Sequence, residues 1–393
     1  MTALTPSTRA RAVTDSITLA ITARAQAMRA QGTSVISLAA GEPDFPSPDS
    51  VCEAGIAAIR NGQTRYTPAP GMPDVRAAAA HWFRRHFGLE YTASHVMVTA
   101  GAKPALLLAL MTLCEDGDPV LLPAPFWASY TDLVGLAGGR PVVLPAVPEQ
   151  GFIHSGAQVG AAMDASGARG VMLNWPNNPS GAVPTREQVE SVVAAVVARD
   201  GWIISDEIYA RLIYDGLTHW SPACVPGAME RTLVVNGGTK SHSMTGWRVG
   251  FLAGPQGIIE AAGRVQSQAI GNTCTISQRA VLAVCNESND EEVSRRIAAY
   301  VARRERMVEL VRGIPGLTMS KPQGAFYGLI DAREVCARRG MTDIGIAESL
   351  LEEAHVAVVP GTPFAIEGFL RLSYAAAMPD IEEGIRRISR WLA

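Results

Sequence analysis

No charge of either sign dominates this chain: 34 lysines and arginines stand against 37 aspartates and glutamates, a formal net charge of −3. With both signs dispersed, the electrostatic footprint of a nucleic-acid or anionic-membrane partner is excluded. Cysteine is scarce, six in 393 residues with no Cys-x-x-Cys pair. That excludes a zinc knuckle and a disulfide frame, and predicts reduced thiols in a cytoplasmic protein. The seven histidines contain no His-Glu-x-x-His and no pair four apart, so no metal site is expected. No run approaches the roughly 18 uninterrupted apolar residues of a membrane helix, and no membrane partner is expected. Only 18% of residues are charged while 48% are hydrophobic, a balance that excludes disorder as the main state.

What is present is enough apolar chain for a large core and a second, smaller unit. Seven short apolar runs, at 95–100, 119–122, 141–147, 170–173, 202–204, 232–235 and 249–253, are bounded by Gly, Pro or Asn. They are continuously apolar rather than alternating, the pattern of strands covered by helices on both faces. Helix-length segments such as 104–114, 186–199 and 256–267 separate most of them. The pattern predicts a three-layer α/β sandwich with a mostly parallel seven-stranded sheet over about residues 46–284. From Glu287 to Arg312 the chain is charged and Arg-rich, read as a long exposed helix; short Gly- and Pro-punctuated strands and a closing helix at 380–392 follow.

These features predict a large domain at 47–286 and a smaller α+β domain at 287–393. Residues 1–46 are expected to join the smaller domain, because the strand-like stretch at 35–38 has no place in the central sheet. The first forty residues are rich in Ala, Arg, Ser and Thr with Asp15 the only acid, a composition shared with organelle transit peptides. Residues 16–32 nevertheless read as an amphipathic helix running into a strand, and so as part of the fold.

In open α/β sheets ligands sit beyond the carboxyl ends of the strands, and here the residues after the runs are polar. Gly101-Ala102-Lys103 follow the first run, Pro125-Phe126-Trp127 the second, and Asn174 through Gly181 the fourth. Ser205-Asp206-Glu207-Ile208-Tyr209 follow the fifth, and Asn236-Gly237-Gly238-Thr239-Lys240 the sixth, with Arg248 eight residues on. An aromatic plane, an amide, a carboxylate, a phenol, an amine and a guanidinium thus share one rim. A lysine amine, a carboxylate for a ring nitrogen and donors for a phosphate are what pyridoxal 5′-phosphate requires. A P-loop reading of residues 237–241 fails, because Thr239 separates glycine from lysine and the leading glycine is missing.

Five stretches carry a resemblance: Ala39-Ala40-Gly41-Glu42-Pro43-Asp44-Phe45, residues 176–181, residues 205–209, Lys240 through Thr245-Gly246-Trp247-Arg248, and Arg371-Leu372-Ser373-Tyr374. In this order they resemble the class I aminotransferases of the aspartate aminotransferase family, which are fold-type-I pyridoxal-phosphate enzymes, over nearly the whole chain. The resemblance implies that Lys240 is the Schiff-base lysine and the base that moves the substrate Cα proton, a task that needs an amine of lowered pKa. It implies that Asp206 pairs with the pyridinium nitrogen while Tyr209 and Asn178 hydrogen-bond the cofactor's O3′. Arg248, Thr239 and the backbone N–H groups of Ala102 and Lys103 at a helix N-terminus would hold the phosphate. Tyr66 would reach the phosphate of a neighbouring subunit, which implies a homodimer with shared active sites. Trp127 would stack on the cofactor ring. Arg371 would clamp the substrate α-carboxylate, with Gly41, Trp127 and Asn178 also facing the substrate, and Asn178-Pro179 would be a cis step.

Two positions depart from the family's common pattern. Trp175 stands where a small residue is frequent, a bulky ring expected beside the amide and carboxylate cluster, and Thr239 replaces the more usual Ser. Lys103 is a candidate cation for a distal carboxylate, or else an exposed lysine. The activity implied is ping-pong transfer of an amino group from an L-amino acid, aspartate foremost, to a 2-oxo acid, 2-oxoglutarate foremost. Aromatic, basic or other neutral amino acids, a pyridoxal-dependent carbon–sulfur lyase, and a non-catalytic binding protein on the same scaffold stay open at this point.

Overall fold

The computed structural model describes residues 4–285 and 289–393. The central sheet has seven strands in the order Val96–Thr99, Gly250–Ala253, Thr232–Asn236, Trp202–Asp206, Gly170–Asn174, Pro119–Pro123, Arg140–Leu144. Gly250–Ala253 runs antiparallel to both neighbours, and the other pairs are parallel. Each predicted apolar run is one of these strands, with its ends shifted. The run expected to reach residue 147 stops at Leu144, where Pro145 has no amide hydrogen to continue a ladder.

Successive strand residues point to opposite faces, and the packing follows that alternation. Val120, Leu122, Met172, Ile204, Leu233 and Val235 pack with Leu106 of the helix Ala102–Leu113 and Ile259 of the helix Gln256–Ala269. Their chain neighbours Leu121, Val171, Leu173 and Ile203 pack the other way, with Val159 of the helix Gly156–Ser166 and Val192 of the helix Arg186–Val197. Apart from the edge strand Arg140–Leu144, where Val143 is 44% exposed, both faces are dry, which is why the strands read as unbroken apolar runs.

A second, four-stranded antiparallel sheet has the order Val359–Pro360, Phe369–Ser373, Tyr327–Asp331, Thr318–Met319. Ile36–Ser37 lies outside the central sheet and pairs in parallel with Val356–Ala357. The helix before it, Ile17–Ala30, fully buries only Ala25; Ile21 and Met28 pack from the side, and Leu19 is 67% exposed. Its apolar face is narrower than the sequence pattern suggests.

The helix Asp290–Arg312 corrects the expectation of an exposed rod, for Val293, Arg296, Tyr300, Arg304, Met307, Val308 and Val311 are buried along one stripe. Two arginines turn inward because both find acceptors, as buried charges must. Arg304 bonds the two carboxylate oxygens of Asp215 at 2.8 and 3.0 Å, and Arg296 donates to the carbonyls of Pro46 and Ser241 at 2.7 and 3.3 Å. The helix start expected at residue 287 and the domain boundary after residue 286 lie outside the described residues.

Candidate active site

The carboxyl ends of the central strands open onto a cavity of about 390 Å³ whose lining includes Gly41, Ala102, Lys103, Trp127, Asn178, Asp206, Tyr209, Thr239, Lys240, Arg248 and Arg371. Every site residue predicted from the sequence is therefore brought to one place except Tyr66. That side chain is 98% exposed and lies outside the cavity of its own chain.

Lys240 follows the strand Thr232–Asn236, and its Nζ donates to the Gly41 carbonyl at 2.6 Å. What surface it exposes faces the cavity. Burial brings its amine down to about 8, helped by the Arg371 and Arg248 guanidiniums and opposed by Glu42 and Asp206. Such an amine is neutral for an appreciable fraction of the time near neutral pH.

Asp206 closes the strand Trp202–Asp206 and is buried. Its Oδ2 accepts from Tyr130 Oη at 2.7 Å and its Oδ1 from the Ile208 amide at 3.3 Å, while its carbonyl accepts from Asn174 Nδ2 at 2.9 Å. Burial lifts its carboxyl to about 6 despite those two donors and Lys240, which all pull it down. A buried carboxylate whose bonded donors are neutral is a socket for a cation.

Arg248 has a left-handed backbone, φ 53°, and its Nη1 donates to the Thr245 carbonyl at 2.8 Å. Its guanidinium lies against Gly101, which has φ +102° and where a Cβ would come 2.9 Å from Nη2; only glycine leaves this cradle open. The helix Ala102–Leu113 begins beside it, so its first amides have no intrahelical acceptor and favour an anion. Arg371, on the strand Phe369–Ser373, donates to Asn178 Oδ1 at 3.1 Å and to the Ala39 carbonyl at 2.9 Å. Its buried Nε has no partner. A guanidinium for one anion, a second guanidinium with a spare donor, a neutral amine and a buried carboxylate fit a phosphorylated, ring-nitrogen cofactor with an amino-acid substrate.

One expectation is corrected and another made specific. The Asn178–Pro179 bond is trans, and the cis bonds among the described residues are Ala124–Pro125 and Trp175–Pro176. Asn177 holds the turn through Pro179 in that form: its Oδ1 accepts from Ser180 N at 3.0 Å and its carbonyl from Gly181 N at 2.8 Å. Trp175 does not stand in the cavity. It is buried in the core with Val189 and Val192, because Asn174 takes the cavity-facing position at the strand end and the next side chain turns away.

Tyr130 and Tyr327 carry no sequence signal that places them at the site. Tyr130 stands three residues after Trp127, and nothing local signals that it reaches Asp206. Tyr327 Oη lies 3.0 Å from Tyr209 Oη and comes from the other sheet. Ser16, Thr18 and Leu19 also line the cavity, from a segment read only as a helix. Lys103 Nζ bonds Ser129 Oγ at 3.2 Å and lies 4.8 Å from the Trp127 ring centroid. Burial, then the Arg248 charge, lowers its pKa.

Fold and cavity together define a fold-type-I transferase, and the chain belongs to the aminotransferase class I and II family, whose model matches residues 33–388. It is 40% identical over 386 residues to an aspartate aminotransferase of Bacillus sp. (strain YM-2), covering 98% of each chain. It is also 40% identical over 388 residues to an aspartate/prephenate aminotransferase of Thermus thermophilus, again 98% of each. The solved aspartate aminotransferase from Rhizobium meliloti superposes with a TM-score of 0.95 at 36% identity, over 99% of both chains.

Proposed function

We propose that this aminotransferase moves the amino group of L-aspartate to 2-oxoglutarate in two half-reactions, with pyridoxal 5′-phosphate held in the cavity. The observation that carries this reading is that Lys240, Asp206, Arg248 and Arg371 open into one cavity. The cofactor supplies an electron sink for the pair left on the substrate Cα when its proton departs. Asp206 would hold a proton on the ring nitrogen, with Tyr130 steadying its carboxylate. Arg248, Thr239 and the first amides of the helix Ala102–Leu113 would grip the phosphate, Trp127 would cover a ring face, and Tyr209 and Asn178 would face O3′. Arg371 binds the substrate α-carboxylate through a fork of donors. That contact aims the Cα–H bond at Lys240, whose neutral Nζ accepts the proton.

Lys103 favours an acidic side chain. It is a partly desolvated cation on the cavity wall, and Ser16 and Thr18 add hydroxyl donors to the same lining. The same reading makes the enzyme a homodimer in which Tyr66 of one protomer serves the other's phosphate. It divides the chain into residues 1–46 with 287–393 and a large unit at 47–286. It also assigns a reducing cytoplasm, in keeping with six free thiols. Among the described residues no helix is long and apolar enough to cross a membrane.

The test is the absorption spectrum of the purified holoenzyme before and after excess aspartate with no oxo acid present. A shift from the visible to the near-ultraviolet with stoichiometric oxaloacetate supports the reading. An unchanged spectrum with aspartate sinks the substrate assignment, and pyruvate and ammonia released from cystathionine would mark a carbon–sulfur lyase instead.

A further inference from the structure

The strand Tyr327–Asp331 pairs antiparallel with Phe369–Ser373, setting Tyr327 opposite Ser373 and Leu329 opposite Arg371. Tyr327 and Arg371 are thus diagonal neighbours on one face, a separation that an aromatic ring and a long side chain can bridge. They do so: the Arg371 guanidinium carbon lies 4.4 Å from the Tyr327 ring centroid, and both side chains are buried. A guanidinium this deep needs support from every side. Asn178 and Ala39 supply hydrogen-bond acceptors, and the Tyr327 ring supplies the nearer of two attractive planes, with Phe364 at 5.1 Å the other, that together direct the fork.

The other end of Tyr327 meets Tyr209, with the two hydroxyl oxygens 3.0 Å apart and the rings edge to face at 83°. A bond between two hydroxyls has one donor. Either hydroxyl can take that part, and the arrangement in which Tyr327 donates and Tyr209 accepts is the one in which Tyr209 keeps its own hydrogen. The Tyr209 hydrogen is then left free to point into the cavity, where Lys240 Nζ stands 5.9 Å from the Tyr209 ring centroid.

We propose that Tyr327 is a positioning residue coupling the two halves of the site: its hydroxyl aims the Tyr209 phenol at the cofactor, and its ring aims Arg371 at the substrate carboxylate. The proposal rests on the reading of the cavity given above and assigns a separate task to each part of one side chain. The two tasks can be removed one at a time.

Tyr327→Phe keeps the ring and removes the hydroxyl. In the holoenzyme the pH midpoint of the visible cofactor band should move by roughly one unit, and kcat should fall roughly three- to tenfold, as for one lost hydrogen bond. KM for aspartate should stay within about twofold of wild type, since the plane under Arg371 remains. Tyr327→Leu also removes the nearer plane, leaving only Phe364, and should raise that KM by roughly three- to tenfold. Adding Tyr327→Phe to Tyr209→Phe should leave the band of the Tyr209→Phe enzyme unchanged, because the hydroxyl acts through a phenol already gone. A band whose position and pH dependence are the same in Tyr327→Phe as in wild type overturns the proposal while leaving the cavity's assignment intact. So do fully additive shifts in the double variant, or a Tyr327→Leu enzyme with wild-type KM. A wild-type protein that shows no visible band with pyridoxal phosphate overturns both.

Discussion

Tyr130 and Asp206, 76 residues apart in the chain, meet in a 2.7 Å hydrogen bond in which the phenol donates to the carboxylate. The carboxyl already sits near 6 because it is buried, and Tyr130 is the first of the groups holding it down. Removing that donor pushes it higher, so more of it is protonated in mildly acid solution and unable to balance a positive ring. Tyr130→Phe should therefore lower kcat by about tenfold near neutral pH, as for a hydrogen bond to a charged group. The deficit should widen toward acid pH. A pH profile of kcat checks this, and a variant-to-wild-type ratio that stays flat with pH contradicts it.

The Lys240 amine, at about 8 rather than its ordinary 10.5, gives the cofactor-free protein a pH signature. Covalent loading needs the neutral amine, so the loading rate should climb through about pH 8, measured by absorbance after mixing with pyridoxal phosphate. A depressed amine pKa means that the unfolded chain binds this proton more readily than the folded one. The contribution of Lys240 to stability is thus fully present above its ordinary value and is lost as pH falls through about 8. Lys240→Met should abolish loading yet stabilise the cofactor-free protein by about 1–3 kcal/mol near pH 7, read from urea unfolding.

In the proposed function Lys103 is the residue on which the choice of aspartate turns. Lys103→Met keeps a side chain of similar length beside Trp127 and deletes the charge that lies over its ring. The variant should lose roughly ten- to a hundredfold in kcat/KM for aspartate while alanine stays within about twofold, since only the former offers a second carboxylate. Equal losses for both amino acids would remove Lys103 from substrate selection.

Trp175 makes the opposite case. Packed among Val189 and Val192 on the far side of the strand end, it should act on stability and not on specificity. Trp175→Ala should cost about 3–5 kcal/mol in chemical unfolding. At temperatures where the variant stays folded, the ratio of activities toward aspartate and alanine should match wild type.

The central sheet was legible because all its strands but the edge strand Arg140–Leu144 are dry on both faces, so each stands out as an apolar run with no helix or strand period to confuse it. The residues after those runs were legible as a site for the same reason, since the end of each run marks where polar side chains can enter. What stayed hidden depends on reach across the fold. Tyr130 and Tyr327 look like ordinary core phenols until Asp206 and Tyr209 are set beside them. Arg296 and Arg304 disguised the buried stripe of the helix Asp290–Arg312, because the acceptors that let them turn inward come from distant loops. Which side of the amide and carboxylate cluster Trp175 takes was not legible, because one residue past a strand end decides which face a ring takes, and composition carries no such sign.

The parallel pair formed by Ile36–Ser37 and Val356–Ala357 joins positions roughly 320 residues apart. During synthesis at about 5–20 residues per second the first of these strands waits some tens of seconds for its mate. The helix Ile17–Ala30 waits with it, since Ala25 shares its core with Leu351, Val359, Phe364 and Phe369. That helix and the turn before it bring Ser16, Thr18 and Leu19 to the cavity. A nascent chain can therefore stack its central strands while still attached to the ribosome, but the entrance to its catalytic chamber is completed only after the last strands have emerged.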